Sequence, residues 1–293
     1  MMAVKDVKVA FLGTGLIGSG IAERLLEVGY PVAVYNRTRS KAERLEPLGA
    51  VVADSPLDAV KDCDVVVMML TDFTAIETVL LADDVLAVLD GKMVFQMGTI
   101  SPEESRTCER RLAEEGASYL EGPVLGNPGH ARKGELMIMV GGDETRFETW
   151  KPFLSSMGTR LEYCGGTGTG AASKLALNLL IGSLITSFAV SIGIVKGENL
   201  SLEQFMGILR ESALYAQTYD KKLERFLERD FSKPNFPVRH LLKDMRLARE
   251  EAEYLGIDGA GLRGIESLLQ SAIDQGWGDV DYSGVYNAIV PED

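Results

Sequence analysis

Lys174 and Asn178 stand four residues apart in GGTGTGAASKLALN (165–178), a glycine-rich turn that opens a long apolar helical pattern. Positions i and i+4 share one face of a helix. An amine and an amide therefore point the same way, one turn into that helix. Before this stretch, short apolar runs alternate with helical patterns; after it, the chain reads almost wholly helical. The pair is thus expected near the mouth of the cleft between two halves, a preferred place for a small-molecule site. On spacing alone, Gly165, Gly166, Gly168 and Gly170 also fit a flexible join, and Lys174 a solvated lysine.

A second cluster speaks to a nucleotide. VKVAFLG (7–13) is an apolar run closed by glycine, which reads as a buried strand. GTGLIG follows, with Gly13, Gly15 and Gly18 in G-x-G-x-x-G spacing around Leu16 and Ile17. IAERLLEVG then has helical periodicity and stops at Gly29, and PVAVYN (31–36) is the next strand. In this strand–turn–helix–strand context the motif is a dinucleotide fingerprint. Gly13 permits the tight turn, Gly15 lets backbone approach a pyrophosphate, and Gly18 lets helix and strand pack closely. The helix N-terminus adds N–H groups and partial positive charge. A carboxylate ending the second strand would suit the ribose hydroxyl of NAD. Here Asn36 is followed by Arg37, Thr38, Arg39 and Lys41. Cations and a hydroxyl suit the 2′-phosphate of NADP(H), since guanidinium binds phosphate well.

These groups need a scaffold, and 293 residues suggest two domains. Residues 50–52, 65–70, 93–97, 118–120, 137–140 and 161–163 read as strands, with helical patterns at 102–115 and 144–157 among them. The expected fold class is α/β: a Rossmann-type doubly wound, mainly parallel sheet over 1–164. An all-α domain follows over 165–293, begun by a long interdomain helix. Its helices are expected at 170–196, 201–229, 238–255 and 260–275, with Gly197, Gly256 and Gly276 as C-cap signals. Strand ends face the cofactor in such sheets, which brings in Met69, Leu70 and Thr99. EGPVLGNPG (121–129) reads as a turn-rich loop whose Gly126 and neighbours can bring N–H groups to a substrate. In HLLKDMRLA, His240 suits packing, and Asp244 with Arg246 suits a solvated face.

Composition narrows the function. Apolar residues make up 46% and charged residues 25%, as in a globular chain, and the net charge of −13 argues against nucleic acid. Three scattered cysteines and two histidines make neither a disulfide framework nor a metal site. They fit a reducing cytoplasm, and no signal peptide is read at the N-terminus. Residues 175–195 approach the length of a membrane span, but polar residues and glycines interrupt them, so they are read as a buried spine.

The motifs, in this order along nearly the whole chain, resemble the β-hydroxyacid dehydrogenase family. The run FPVRHLLKDMRLA is most similar to its glyoxylate/succinic semialdehyde reductases. The resemblance implies Lys174 as the catalytic lysine, with Asn178 its companion, and Thr99 and Lys243 against the cofactor. With the cofactor go Gly13, Gly15, Leu16, Ile17, Gly18, Asn36, Arg37, Thr38, Lys41, Met69 and Leu70. With the substrate go Ser101, Leu125, Gly126, Asn127, Lys174 and Asn178. It implies a homodimer or homotetramer joined through the helical domain, a small-molecule substrate and no membrane. The implied reaction moves hydride between nicotinamide and a short-chain aldehyde, semialdehyde or β-hydroxyacid, with Lys174 as general acid or base. Three departures point to a more apolar pocket: Leu125 where the family usually has serine, Val190 where glutamate is frequent, and Gly98 where serine is common. Imine reduction is a rival reading, set back by the presence of Lys174. A non-catalytic cofactor-binding scaffold is another, set back in the same way.

Overall fold

The computed structural model describes residues 7–291. It divides into two compact units, Met1–Lys174 and Leu175–Asp293. The first is built on one sheet. Its strands are β1 (Val9–Leu12), β2 (Val32–Tyr35), β3 (Val51–Val52), β4 (Val65–Met68), β5 (Met93–Gln96), β6 (Ser118–Glu121), β7 (Val124–Leu125), β8 (Leu136–Gly142) and β9 (Gly158–Gly165). They lie in the order β3-β2-β1-β4-β5-β6-β8-β7, with β9 also paired to β8. From β3 to β6 all neighbours are parallel. β8 is antiparallel to both β6 and β7, and parallel to β9. The order reverses between β1 and β4, where open parallel sheets place their ligands.

The strands are apolar on both faces because helices cover both. Val9, Phe11, Val65, Val67, Met93 and Phe95 enter one core. Their alternates Ala10, Leu12, Val66, Met68 and Val94 enter the other, as the two-residue period of a strand requires. Helix Leu16–Glu27 buries Ile21, Ala22 and Leu25, and helix Pro102–Glu114 buries Cys108 and Leu112.

Three sequence expectations change. The turn-rich loop at 121–129 holds the short strand β7 and the start of helix Pro128–Lys133. The helix expected over 201–229 is two, Leu202–Glu211 and Gln217–Glu228. It breaks at Ser212, whose backbone is extended and whose hydroxyl bonds Leu209 O and accepts from Leu214 N. Such local side-chain bonding competes with helix, and no glycine or proline announces it. Gly256 and Gly276 do take positive φ, but near Gly197 the left-handed residue is Asn199, at φ 52°.

Helix Thr169–Gly197 leads into the second unit, whose core holds Phe188, Tyr219, Phe226 and Tyr286. Phe226 and Tyr286 stack at 4.3 Å between ring centroids. Helices Val238–Tyr254 and Ala260–Ala272 complete this packing. The long helix is apolar and long enough to cross a membrane, yet only 44% of its most apolar window is buried. The buried-spine reading holds for one face, with Ile185, Phe188, Ala189 and Ile192 inside. Leu177, Leu180, Val190 and Ile194 are exposed. Val190, at 45% exposure, thus stands on the outer face of this chain's helix.

Candidate active site

The glycine loop sits at the carboxyl edge of β1. Gly13 has φ +100°, and a Cβ there would collide with the Met69 carbonyl; on Gly18 it would collide with Gly13 O. Both glycines are therefore required by close packing. Gly15 differs: a Cβ there would meet nothing within 4 Å. Protein packing does not call for glycine at that position, whereas a pyrophosphate against its backbone does. Helix Leu16–Glu27 begins there with no side-chain cap and no acidic residue in its first turn. Its terminal N–H groups and dipole suit an anion. Leu16 is exposed on that first turn and Ile17 half-buried.

Neighbouring strand ends close around the loop. Gly13 N donates to Tyr35 O, Met69 N to Leu12 O and Met97 N to Met68 O. Asn36 ties two segments together: its Oδ1 accepts from Thr14 N at 3.1 Å, and its Nδ2 donates to Thr38 O at 2.9 Å. Arg37, Thr38 and Lys41 are exposed beside it. Arg39 is committed elsewhere, paired with Glu43 and Asp54. Thr14 Oγ1 and Gln96 Oε1 are buried with no hydrogen-bond partner among the described residues. Met69, Leu70 and Thr99 are half-buried at the ends of β4 and β5. A Cβ on Gly98 would stand 2.6 Å from Leu70 O, so the strand ends leave no room for serine. Loop, uncapped helix, orphaned polar atoms and exposed cations fit a nicotinamide dinucleotide.

Two expected substrate residues have structural duties. Ser101 caps helix Pro102–Glu114: Glu104 N donates to its Oγ, and its own N–H donates to Glu104 Oε2 at 2.7 Å. Asn127 caps helix Pro128–Lys133: its Oδ1 accepts from His130 N at 3.0 Å, and its N–H donates to His130 Nδ1 at 3.3 Å. The Asn127 N–H is thus already engaged. Leu125, in β7 opposite Met137, is half-buried, and Gly126 is exposed.

Lys174 is half-buried in the first turns of helix Thr169–Gly197, with Asn178 one turn later. Asn178 is 1% exposed, and its Nδ2 donates to Asp244 Oδ2 at 2.6 Å. Its Oδ1 is buried with no partner among the described residues. Asp244 is not on a solvated face: it is 2% exposed and also lies 2.9 Å from Lys243 Nζ. Its position was readable, because it falls in the stripe Leu241, Met245, Ala248 that helix Val238–Tyr254 buries. His240 packs near Phe236, and burial, then Lys243, lowers its pKa. Among the described residues no cluster of His, Cys, Asp and Glu suits a metal ion.

Fold and glycine loop together define a dinucleotide-binding protein of the Rossmann class. The sequence model for the NAD binding domain of 6-phosphogluconate dehydrogenase matches residues 8–166. That for NAD-binding of NADP-dependent 3-hydroxyisobutyrate dehydrogenase matches residues 168–289. The chain is 31% identical over 285 residues to glyoxylate/succinic semialdehyde reductase 1 of Arabidopsis thaliana, covering 97% of this chain and 98% of that protein. It is 32% identical over 285 residues to that plant's chloroplastic reductase 2, covering 97% and 79%. Its fold matches the crystal structure of 3-hydroxyisobutyrate dehydrogenase from Salmonella typhimurium at TM-score 0.86 and 23% identity, covering 96% and 99%. The chain belongs to the β-hydroxyacid dehydrogenase family.

Proposed function

We propose that this protein is an NADP(H)-dependent reductase of short-chain aldehydes and semialdehydes, running in reverse as a β-hydroxyacid dehydrogenase. We place it in the cytoplasm as a dimer or tetramer, with residues 1–164 holding the cofactor and 165–293 the substrate and subunit contacts. Support comes from the likeness to the two Arabidopsis reductases and from the presence of Lys174 one turn into its helix. When bound, the nicotinamide supplies or accepts the hydride. Lys174 donates a proton to the developing alkoxide and stabilises its charge; in reverse, the neutral amine takes the proton. Asp244 fixes the Asn178 amide so that its Oδ1 is the remaining acceptor, able to orient an ammonium or a substrate hydroxyl.

The preference for the phosphorylated cofactor rests on Asn36. Both ends of its amide are used by the protein, so the place of a ribose-binding carboxylate is filled by a structural tie. Arg37 and Lys41 remain for the 2′-phosphate, with Thr38 between them. Arg37→Ala is expected to weaken NADPH about ten- to a hundredfold and NADH far less, the worth of one charge-assisted contact. Dissociation constants for both cofactors measure this, and equal turnover of the parent protein with NADPH and NADH would refute the preference.

Leu125 sets the substrate side. Leucine donates no hydrogen bond, and the nearby Asn127 N–H is spent on His130, so carboxylate binding falls to Gly126. A missing charged hydrogen bond costs about 1.5–3 kcal/mol, and each buried methylene returns about 0.8 kcal/mol. The protein is therefore expected to favour aldehydes with longer or apolar chains over glyoxylate. Leu125→Ser should raise kcat/KM for glyoxylate and lower it for a simple apolar aldehyde. If both move together, or the parent already prefers glyoxylate, Leu125 does not govern selectivity.

A further inference from the structure

Glu121 closes β6 at 1% exposure, and the site described above leaves it without a task. Its Oε1 accepts hydrogen bonds from the backbone N–H groups of Gly168 (2.9 Å), Gly170 (2.7 Å) and Ala171 (3.2 Å). Its Oε2 accepts from the buried hydroxyl of Ser105, which lies 2.9 Å from Tyr119 Oη. The first N–H groups of a helix have no partner inside it and carry partial positive charge. One buried carboxylate oxygen gathers three such groups where helix Thr169–Gly197 begins. The surrounding glycines make room for it. A Cβ on Gly141 would collide with Glu121 Oε1, and one on Gly170 would stand 2.6 Å from Met139 O and 3.1 Å from Oε1. Gly170 is therefore packed in place where the helix begins, while a Cβ on Gly166 would meet nothing within 4 Å. Burial raises the pKa of this carboxyl despite the donors Ser105, Ala171, Gly170 and Gly168.

We infer that Glu121 is a positioning residue for Lys174. By clamping the first turn of the helix, it fixes where the amine three residues past Ala171 and four past Gly170 is presented. This rests on the reading of Lys174 as acid and base. Placement errors of about 1 Å can cost a hundredfold in rate, so loss of the clamp should appear in kcat and not in cofactor binding.

Three measurements on the full chain decide it. Amide exchange in the parent protein should be slow at Gly168, Gly170 and Ala171, where uncapped helix starts exchange fast. E121A should lower kcat at least about tenfold, leave the NADPH dissociation constant within about twofold, and speed exchange at those amides. E121Q keeps an oxygen that accepts the same N–H groups and should recover kcat to within about threefold of the parent. Fast exchange at the three amides in the parent, or parental kcat in E121A, overturns the proposal. A fall in E121Q equal to that in E121A overturns it too, because charge and not reach would then matter. Should E121A fail to fold, fast exchange at the three amides in the parent, or an E121Q kcat more than about threefold below the parent, overturns the proposal. K174A, run in parallel, separates the two ideas. If K174A keeps kcat, the lysine reading fails whatever the exchange data say; if only K174A loses it, the clamp has no catalytic part.

Discussion

Lys174→Ala is expected to lower kcat by at least about a hundredfold while leaving NADPH affinity within about twofold. Hydride arriving at a carbonyl carbon leaves negative charge on oxygen, and an alkoxide in a water-poor site needs both a counter-charge and a proton. The described residues offer few groups for this. His240 packs near Phe236 with its pKa lowered by burial, and Asp244 is already shared between Asn178 and Lys243. Lys174 is the amine one turn before the Asn178 amide. A residue that acts on the substrate oxygen alone should leave the dinucleotide loop at Gly13–Gly18 untouched, which is why the two effects should separate. Single-turnover reduction of succinic semialdehyde with NADPH, beside direct titration of NADPH, measures both. A variant that keeps near-parental kcat would make Lys174 structural and favour imine reduction.

The other large effect is on stability. Asp281 is fully buried, and its Oδ1 accepts from Lys222 Nζ at 2.5 Å and from Ser283 Oγ at 2.6 Å. Its Oδ2 accepts from Asn235 N at 3.2 Å. Lys222 is itself only 6% exposed and lies over the Tyr282 ring. Asp281→Ala strands that ammonium in the core of the second unit. Breaking a buried pair in this way costs about 3–5 kcal/mol, seen as a lower midpoint at unchanged slope in urea unfolding. The pH dependence follows in sign. Burial opposes ionisation of Asp281, but the Lys222 charge and hydrogen bond, with Ser283 and Asn235, hold the carboxyl below its ordinary 3.8. Its stabilisation is complete above that pH and is lost as pH falls through the lower folded value. The alanine variant should therefore lose less stability than the parent on acidification below pH 3.8. A loss under about 1 kcal/mol at neutral pH would show that the pair is dispensable.

The sequence by itself determined what depends on spacing over a few residues. G-x-G-x-x-G between two apolar runs predicts a turn, a helix start and close packing, because each follows from backbone sterics alone. Gly13 and Gly18 are packed as that reasoning requires. Continuous apolar runs gave β1, β4 and β5 because strands covered on both faces need no alternation. The order of motifs was enough for the family, since each is local and their succession is simply read along the chain.

What only the tertiary structure decided involves partners far apart in sequence. Glu121 meets its N–H donors 47 to 50 residues away, and Asp244 meets Asn178 at a separation of 66. Nothing local distinguishes a buried carboxylate that organises a helix from one facing water, because the difference lies in which donors the fold brings to it. Ser101 and Asn127 show the converse. The family resemblance implies substrate binding for them, and the fold also uses each to cap a helix start through partners that the resemblance does not name. The glycines at 165–170 looked like a hinge because glycine is permissive. Folding showed Gly170 to be a fit to Met139 O and Glu121, because an absent side chain is also what lets two buried segments touch.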